Sequence, residues 1–229
     1  MTNALEVEGL SVSFGEAKVL DGVSFAVAEG SSLAVIGPNG SGKTVLFKAL
    51  AGSVPFRGRI RWRPGVRIGY VPQRLDLERD LPVTGWDLLR AKAQVTGSFA
   101  DVSAAVERVG LAEAAGRRIG ALSAGQFQRL LVAMALIGNP NVLLLDEPTA
   151  GVDEPGEETL NELIRRVQQE RRLTVLLISH DLSVVYRYAD DVLCLARQRM
   201  WFGPPAEILT PERLREVYGA PVGYHVHES

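Results

Sequence analysis

Cysteine is nearly absent: Cys194 is the single one in 229 residues. An internal disulfide is therefore excluded. The apolar neighbours Val192, Leu193 and Leu195 make this thiol a small buried hydrophobe rather than a nucleophile. Long apolar runs are lacking too. Those at 142–145 and 175–178 fall far short of the roughly 20 residues that cross a bilayer, so no membrane span is expected. An excess of one charge is also missing, since 25 basic and 27 acidic residues leave a formal charge of −2. No global field then exists to hold nucleic acid or an acidic membrane surface. The start carries Glu6 and Glu8 and no basic segment followed by an apolar stretch, so a secretory leader is not expected and the chain is placed in the cytoplasm. What remains is an ordinary globular composition, 46% hydrophobic and 23% charged. The chain is long enough for one large domain, or one domain plus an insert.

The first 30 residues alternate in the strand manner (Leu5, Val7, Leu10, Val12, Phe14, then Val23, Phe25, Val27), broken by Gly9, Gly15, Gly22 and Gly30. This predicts an antiparallel β region. A short apolar run at 33–36, a glycine-rich turn and helical spacing over 44–50 predict strand, loop and helix in that order. Between Arg57 and Arg67, arginines alternate with Ile60, Trp62 and Val66, which predicts a hairpin turning at Pro64-Gly65 with one solvated basic face. Interleaved Arg and Trp also suit a nucleic-acid surface, a reading that the net charge disfavours. Residues 86–138 read as helical. Two apolar runs at 142–145 and 174–178, joined by an amphipathic helix over 154–170, indicate a parallel sheet. Thr210, Pro211 and Gly219 bracket a last helix.

Gly37-Pro38-Asn39-Gly40-Ser41-Gly42-Lys43-Thr44 fits G-x-x-x-x-G-K-[ST], placed after a strand and before a helix. Its glycines let backbone N–H groups turn inward toward phosphate oxygens, and the helix that follows adds its positive end. Lys43 is then expected to bridge the outer phosphates and Thr44 to offer its hydroxyl to Mg²⁺. Farther on, Asp146 and Glu147 close a buried strand. Alone, that pattern suits a strand ending in solvated acids equally well. Joined to the phosphate loop, it points to Asp146 on the Mg²⁺ side and Glu147 polarising the attacking water.

Leu122-Ser123-Ala124-Gly125-Gln126 precedes a helical apolar pattern. Ser123 and Gln126 form a capping box, which requires no ligand, yet a capped helix end is also an anion site. LSAGQ resembles the LSGGQ signature of the ATP-binding cassette ATPases, and further family motifs occur in order over nearly the whole chain. Phe14 resembles the aromatic that stacks on adenine, and Gln73 the loop glutamine that meets Mg²⁺ and the membrane partner. Asp153 resembles the acid of the dimer loop, and His180 the switch histidine on the γ-phosphate. Ala124 departs from the family glycine. Singly, Phe14 also suits a strand core, Gln73 a solvated loop, Asp153 an N-cap and His180 a strand end.

The resemblance implies an α/β P-loop NTPase fold: a mostly parallel sheet flanked by helices, an antiparallel β subdomain and a helical insert. The core would span 1–85 and 139–229, and the insert 86–138. It implies a head-to-tail homodimer that sandwiches ATP between the phosphate loop of one copy and Ser123, Gly125 and Gln126 of the other. It also implies a separate membrane permease, an extracytoplasmic metal-binding protein acting indirectly, and a place on the cytoplasmic face of the membrane.

Residues 70–76, 79–84, 179–186 and 202–205 are similar to the zinc and manganese importers of that family. A metal chelate as cargo, or a cassette ATPase acting on ribosomes or DNA, remain the alternatives. The latter usually carries two cassettes or a coiled coil, and no heptad array is present here. His225 and His227 near the end suit a solvated terminus, since a tight metal site takes three or four ligands.

Overall fold

The computed structural model describes residues 2–73, 75, 81–196 and 199–219. It divides into two compact units, Met1–Gly65 with Thr174–Ser229, and Val66–Leu173.

In the first unit, β1 (Asn3–Phe14) and β2 (Ala17–Ala28) form the expected antiparallel pair, with Val7 opposite Phe25 and Leu10 opposite Val23. Leu5 and Val7, then Leu10 and Val12 beyond the register shift, are buried on the one dry face of the sheet. Gly9 and Gly22 do not break these strands, contrary to the expectation from sequence. Both sit inside them with φ of 60° and 63°, beside shifts of register. Each donates its N–H to a serine across the pair, Gly9 to Ser24 Oγ at 2.8 Å and Gly22 to Ser11 Oγ at 2.9 Å. The side chains thus satisfy the backbone groups that bulges release from the ladder.

β4 (Arg57–Trp62) pairs with β1, and this corrects the hairpin expected at Pro64-Gly65. Acids on β1 explain the pairing: Arg59 stands opposite Glu8 and Arg61 opposite Glu6, with ion pairs of 3.3 and 3.1 Å, while Arg63 pairs with Glu29. These pairs are exposed, so each contributes at most about 1 kcal/mol. They nevertheless set the arginines against carboxylates instead of leaving an unopposed basic stripe. Trp62 closes the strand by donating its indole N–H to Leu50 O at 3.1 Å.

The same unit contains β7 (Thr174–Ile178), β3 (Ser32–Ile36) and β8 (Asp191–Ala196), parallel and in that order, with β9 (Arg199–Gly203) antiparallel to β8. All five residues of β3 are buried, which is why it reads as an unbroken apolar run. α1 (Lys43–Leu50) buries Leu46 and Phe47 completely. α6 (Leu182–Tyr188), α7 (Pro205–Ile208) and α8 (Pro211–Tyr218) pack around Ile36 and Cys194. Burial pushes the Cys194 thiol up to about 12, so it stays neutral at physiological pH and behaves as the hydrophobe its neighbours suggest.

In the second unit, β5 (Ile68–Val71) runs parallel to β6 (Val142–Asp146). Between them in sequence lie α2 (Gly85–Thr96), α3 (Asp101–Arg108) and α4 (Ala124–Leu136), so the helical stretch is as expected. α5 (Glu154–Arg171) follows β6. A β-carbon on Gly69 would stand 2.3 Å from Ala135 O, so only glycine lets β5 approach the α4 backbone this closely. Among the described residues, no helix is long and apolar enough to cross a membrane.

Candidate functional site

The phosphate loop leaves β3 at Gly37 and enters α1 at Lys43. Gly37, Gly40 and Gly42 take φ of 143°, 79° and 96°, conformations that side chains resist. Gly37 is also pressed against β8, where an added β-carbon would stand 2.0 Å from Leu195 O. Lys43 is buried to 7% exposure and donates from Nζ to the carbonyls of Gly37 at 2.8 Å and Pro38 at 3.1 Å. Its charge is therefore held at the mouth of the loop, in a setting that screens it little.

Two details fit this loop to phosphate. Gly42 is the N-cap of α1 and supplies no side-chain cap, so the positive end of the helix faces the loop directly. Ser41 Oγ is buried with no hydrogen-bond partner among the described residues, a costly state that an anion's oxygens would relieve.

Other predicted residues of this unit take the following places. Phe14 ends β1 and is 50% exposed, so the strand-core alternative fails for it and its ring is open to stacking. His180 is exposed after β7, immediately before Asp181 caps α6 by accepting from the N–H groups of Ser183 and Val184. Tyr218 on α8 is a residue that sequence reasoning misses. It packs against the cluster around Ile36 and Cys194, and its hydroxyl interacts with the backbone of Gly37. Only the docking of α8 brings it there.

In the second unit, Asp146 is fully buried at the end of β6, and Glu147 follows with φ of 50°. That left-handed turn on a non-glycine residue redirects the chain and stores strain of a kind concentrated at functional sites. Gln73, after β5, is exposed and donates from Nε2 to Glu147 Oε2 at 2.7 Å. Two residues that the sequence singles out separately are thus joined.

Tyr70 is a second residue to which the sequence assigns no role. Its hydroxyl lies 3.5 Å from Asp146 Oδ2, and burial, aided by that carboxylate, pushes it up to about 12. Tyr70 thus stays a neutral donor facing Asp146.

Ser123 and Gln126 form the predicted capping box at the start of α4, with Gln126 N–H to Ser123 Oγ at 3.2 Å and Ser123 N–H to Gln126 Oε1 at 3.1 Å. Ala124 and Gly125 make the first turn of that helix. Asp153 occupies the N-cap of α5, but its side chain makes no capping bond, so capping does not account for the carboxylate. Arg74, Asp76, Arg79, Asp80, His225 and His227 lie outside the described residues. Among the described residues, no three His, Cys, Asp or Glu side chains gather to hold a metal ion.

Residues 20–150 match the family model described as ABC transporter. The chain belongs to the ABC transporter family. It is 44% identical over 222 residues, 96% of this chain and 87% of the relative, to a protein named zinc import ATP-binding protein ZnuC from Paracoccus denitrificans. A protein of the same name from Cereibacter sphaeroides is 43% identical over 92% of this chain and 86% of its own. Among solved structures, a metal-chelate type ABC transporter in an inward-facing conformation matches with a TM-score of 0.88 and 27% identity. The match covers 96% of this chain and 90% of that one. An ATP-binding cassette in its ADP conformation shares the fold, with a TM-score of 0.82 at 23% identity over 95% of this chain and 99% of its own.

For this ABC transporter ATPase domain, Gly37→Ala is expected to remove nucleotide binding. A methyl group 2.0 Å from the Leu195 carbonyl can only be relieved by moving the backbone. Overpacking of this kind costs about 2–3 kcal/mol, or about 5–10 °C in Tm. Thermal unfolding with and without ATP measures both effects. A variant with unchanged Tm and the same ATP-induced shift contradicts the close packing of the loop.

Proposed function

We propose that this chain is the ATP-hydrolysing subunit that powers zinc import through a separate membrane permease. The observation that carries the cargo is 44% identity, over 96% of the chain, to a protein named for zinc import. Similarity to a metal-chelate transporter, at 27% identity, supports a chelate as the second reading. Manganese rests on the resemblance of residues 70–76, 79–84, 179–186 and 202–205.

ATP would lie with its phosphates in the loop 37–44, where Lys43 binds the β and γ oxygens and Phe14 stacks on the base. Thr44, Gln73 and Asp146 would hold Mg²⁺. A hydroxyl, an amide oxygen and a buried carboxylate are the hard oxygen donors this ion takes. When bound, Mg²⁺ supplies charge neutralisation at the β and γ phosphates. Glu147 orients and deprotonates the attacking water, and His180 contacts the γ-phosphate.

Two copies would associate head to tail, Ser123, Gly125 and Gln126 of each closing on the ATP held by the other, with Asp153 at the shared interface. ATP then favours the closed dimer because it contacts both copies only there, and hydrolysis withdraws that advantage. Gln73 and the helical subdomain 86–138 would pass the motion to the permease at the cytoplasmic face of the membrane. An extracytoplasmic binding protein would deliver the ion to that permease.

Affinity purification of the tagged chain from native membranes tests the assembly. Recovery of an integral membrane protein in stoichiometric amount is expected. Recovery of ribosomes or DNA without a membrane protein would overturn the reading.

A further inference from the structure

The loop that joins β6 to α5 is fastened to the signature helix by contacts that the proposed chemistry does not use. Gln128 lies one turn into α4 and is only 7% exposed. Its Nε2 donates to Ala150 O at 3.3 Å, while its Oε1 is buried with no hydrogen-bond partner among the described residues. Beside it, Val152 of the same loop rests on the start of the helix, its Cγ1 placed 3.7 Å from where a β-carbon of Gly125 would stand. On the α5 side, a β-carbon on Gly156 would stand 2.6 Å from both Val152 Cγ1 and Asp153 Oδ1. Val152 is thus wedged between the first turns of α4 and α5, and the carboxylate of Asp153 is set against Gly156.

A buried glutamine with an idle acceptor is a poor choice for packing alone. Methionine would fill the same space without the desolvation cost of an unpaired carbonyl oxygen. That cost is repaid if the loop has a second position in which the acceptor finds a donor.

We propose that Gln128 is a positioning residue that locks the loop 147–153 to the signature helix and exchanges partners when the loop moves. It holds Ala150 O in the arrangement described, and its Oε1 takes a backbone N–H of the same loop once ATP is sandwiched. The inference rests on the head-to-tail reading above. In that arrangement, α4 reaches the ATP held by the partner copy, while the loop carries Glu147 and Asp153. The lock makes each copy's response at its own ATP depend on the ATP it closes over, and so couples the two sites.

The test is Gln128→Met in the full chain, which keeps volume and removes both hydrogen-bonding groups. The expected result is a Tm no lower than that of the parent and unchanged affinity of the single copy for a fluorescent ATP analogue. With these, kcat falls about fivefold to tenfold and the Hill coefficient for ATP drops to 1. Val152→Ala loosens the wedge without touching Gln128 and gives a second reading should the first variant fold poorly. Its kcat loss is expected in the same direction, and in the double variant the two losses do not multiply.

Wild-type kcat and Hill coefficient in either folded variant overturn the proposal. So does a fall in Tm and nucleotide affinity large enough to account for the lost rate, which marks Gln128 as a packing residue only. Glu147→Gln is run alongside: if it forms no dimer with ATP, the head-to-tail reading itself fails, whatever the Gln128 variants do.

Discussion

Glu147→Gln is expected to lower the ATPase rate by at least about 100-fold while ATP still binds, because a positioned general base contributes roughly 10²–10⁴ to such a step. The amide has the shape of the carboxylate but not its basicity. Its oxygen still accepts the N–H that Gln73 donates to Glu147 Oε2 at 2.7 Å, so the turn after β6 is not disturbed. Asp146 keeps its buried place and its Tyr70 neighbour. With hydrolysis stopped, the ATP that bridges two copies persists, and gel filtration with Mg-ATP should show the chain eluting as two copies instead of one. ADP should not produce this shift. Normal turnover in the variant would remove Glu147 from the role of base, and a stalled but monomeric variant would count against the sandwich.

Lys43→Ala should act at an earlier step. Lys43 is 7% exposed as a residue, and its ammonium group is already aimed along the loop by the Gly37 and Pro38 carbonyls. Hydrogen bonds to charged groups contribute about 1.5–3 kcal/mol each, and the buried setting raises that worth. Affinity for ATP should therefore fall about 10-fold to 100-fold, with AMP, which lacks the outer phosphates, affected far less. Isothermal titration with ATP, ADP and AMP separates these cases. An equal loss for all three nucleotides would indicate a collapsed loop, and unchanged ATP affinity would remove Lys43 from the phosphate site.

Features set by neighbours in the chain are legible in the sequence. The strand at Thr174–Ile178, the helix starting at Glu154 and the helix between Thr210 and Gly219 lie where period, cap and proline place them. The capping box at Ser123 and Gln126 is present as read. Partners distant in sequence are not legible. The arginines of β4 alternate as a hairpin strand would, but their partners are Glu6 and Glu8 on β1, and nothing local states that. Gly9 and Gly22 carry the usual mark of a turn. They form bulges instead because Ser24 and Ser11 across the pair accept their N–H groups.

The candidate site divides the same way. The phosphate loop and the Asp146-Glu147 pair announce themselves because their chemistry is packed into a few consecutive residues. Gln73 meeting Glu147, Tyr70 facing Asp146 and Tyr218 reaching Gly37 each depend on separate segments folding together. Gln128 is hidden for a further reason. It follows a signature whose own residues carry the recognisable chemistry, and a glutamine on a helix gives no sign in the sequence that it is buried.

ATP hydrolysis by this chain powers the movement of zinc. The most direct test of this is the ATPase rate and zinc uptake of the complex, reconstituted in proteoliposomes from the chain, its copurifying permease and the cognate binding protein. Zinc-loaded binding protein should stimulate turnover severalfold and drive ATP-dependent zinc accumulation that Glu147→Gln abolishes. Stimulation by a metal chelate but not by zinc, or a rate indifferent to every loaded form of the binding protein, would contradict it.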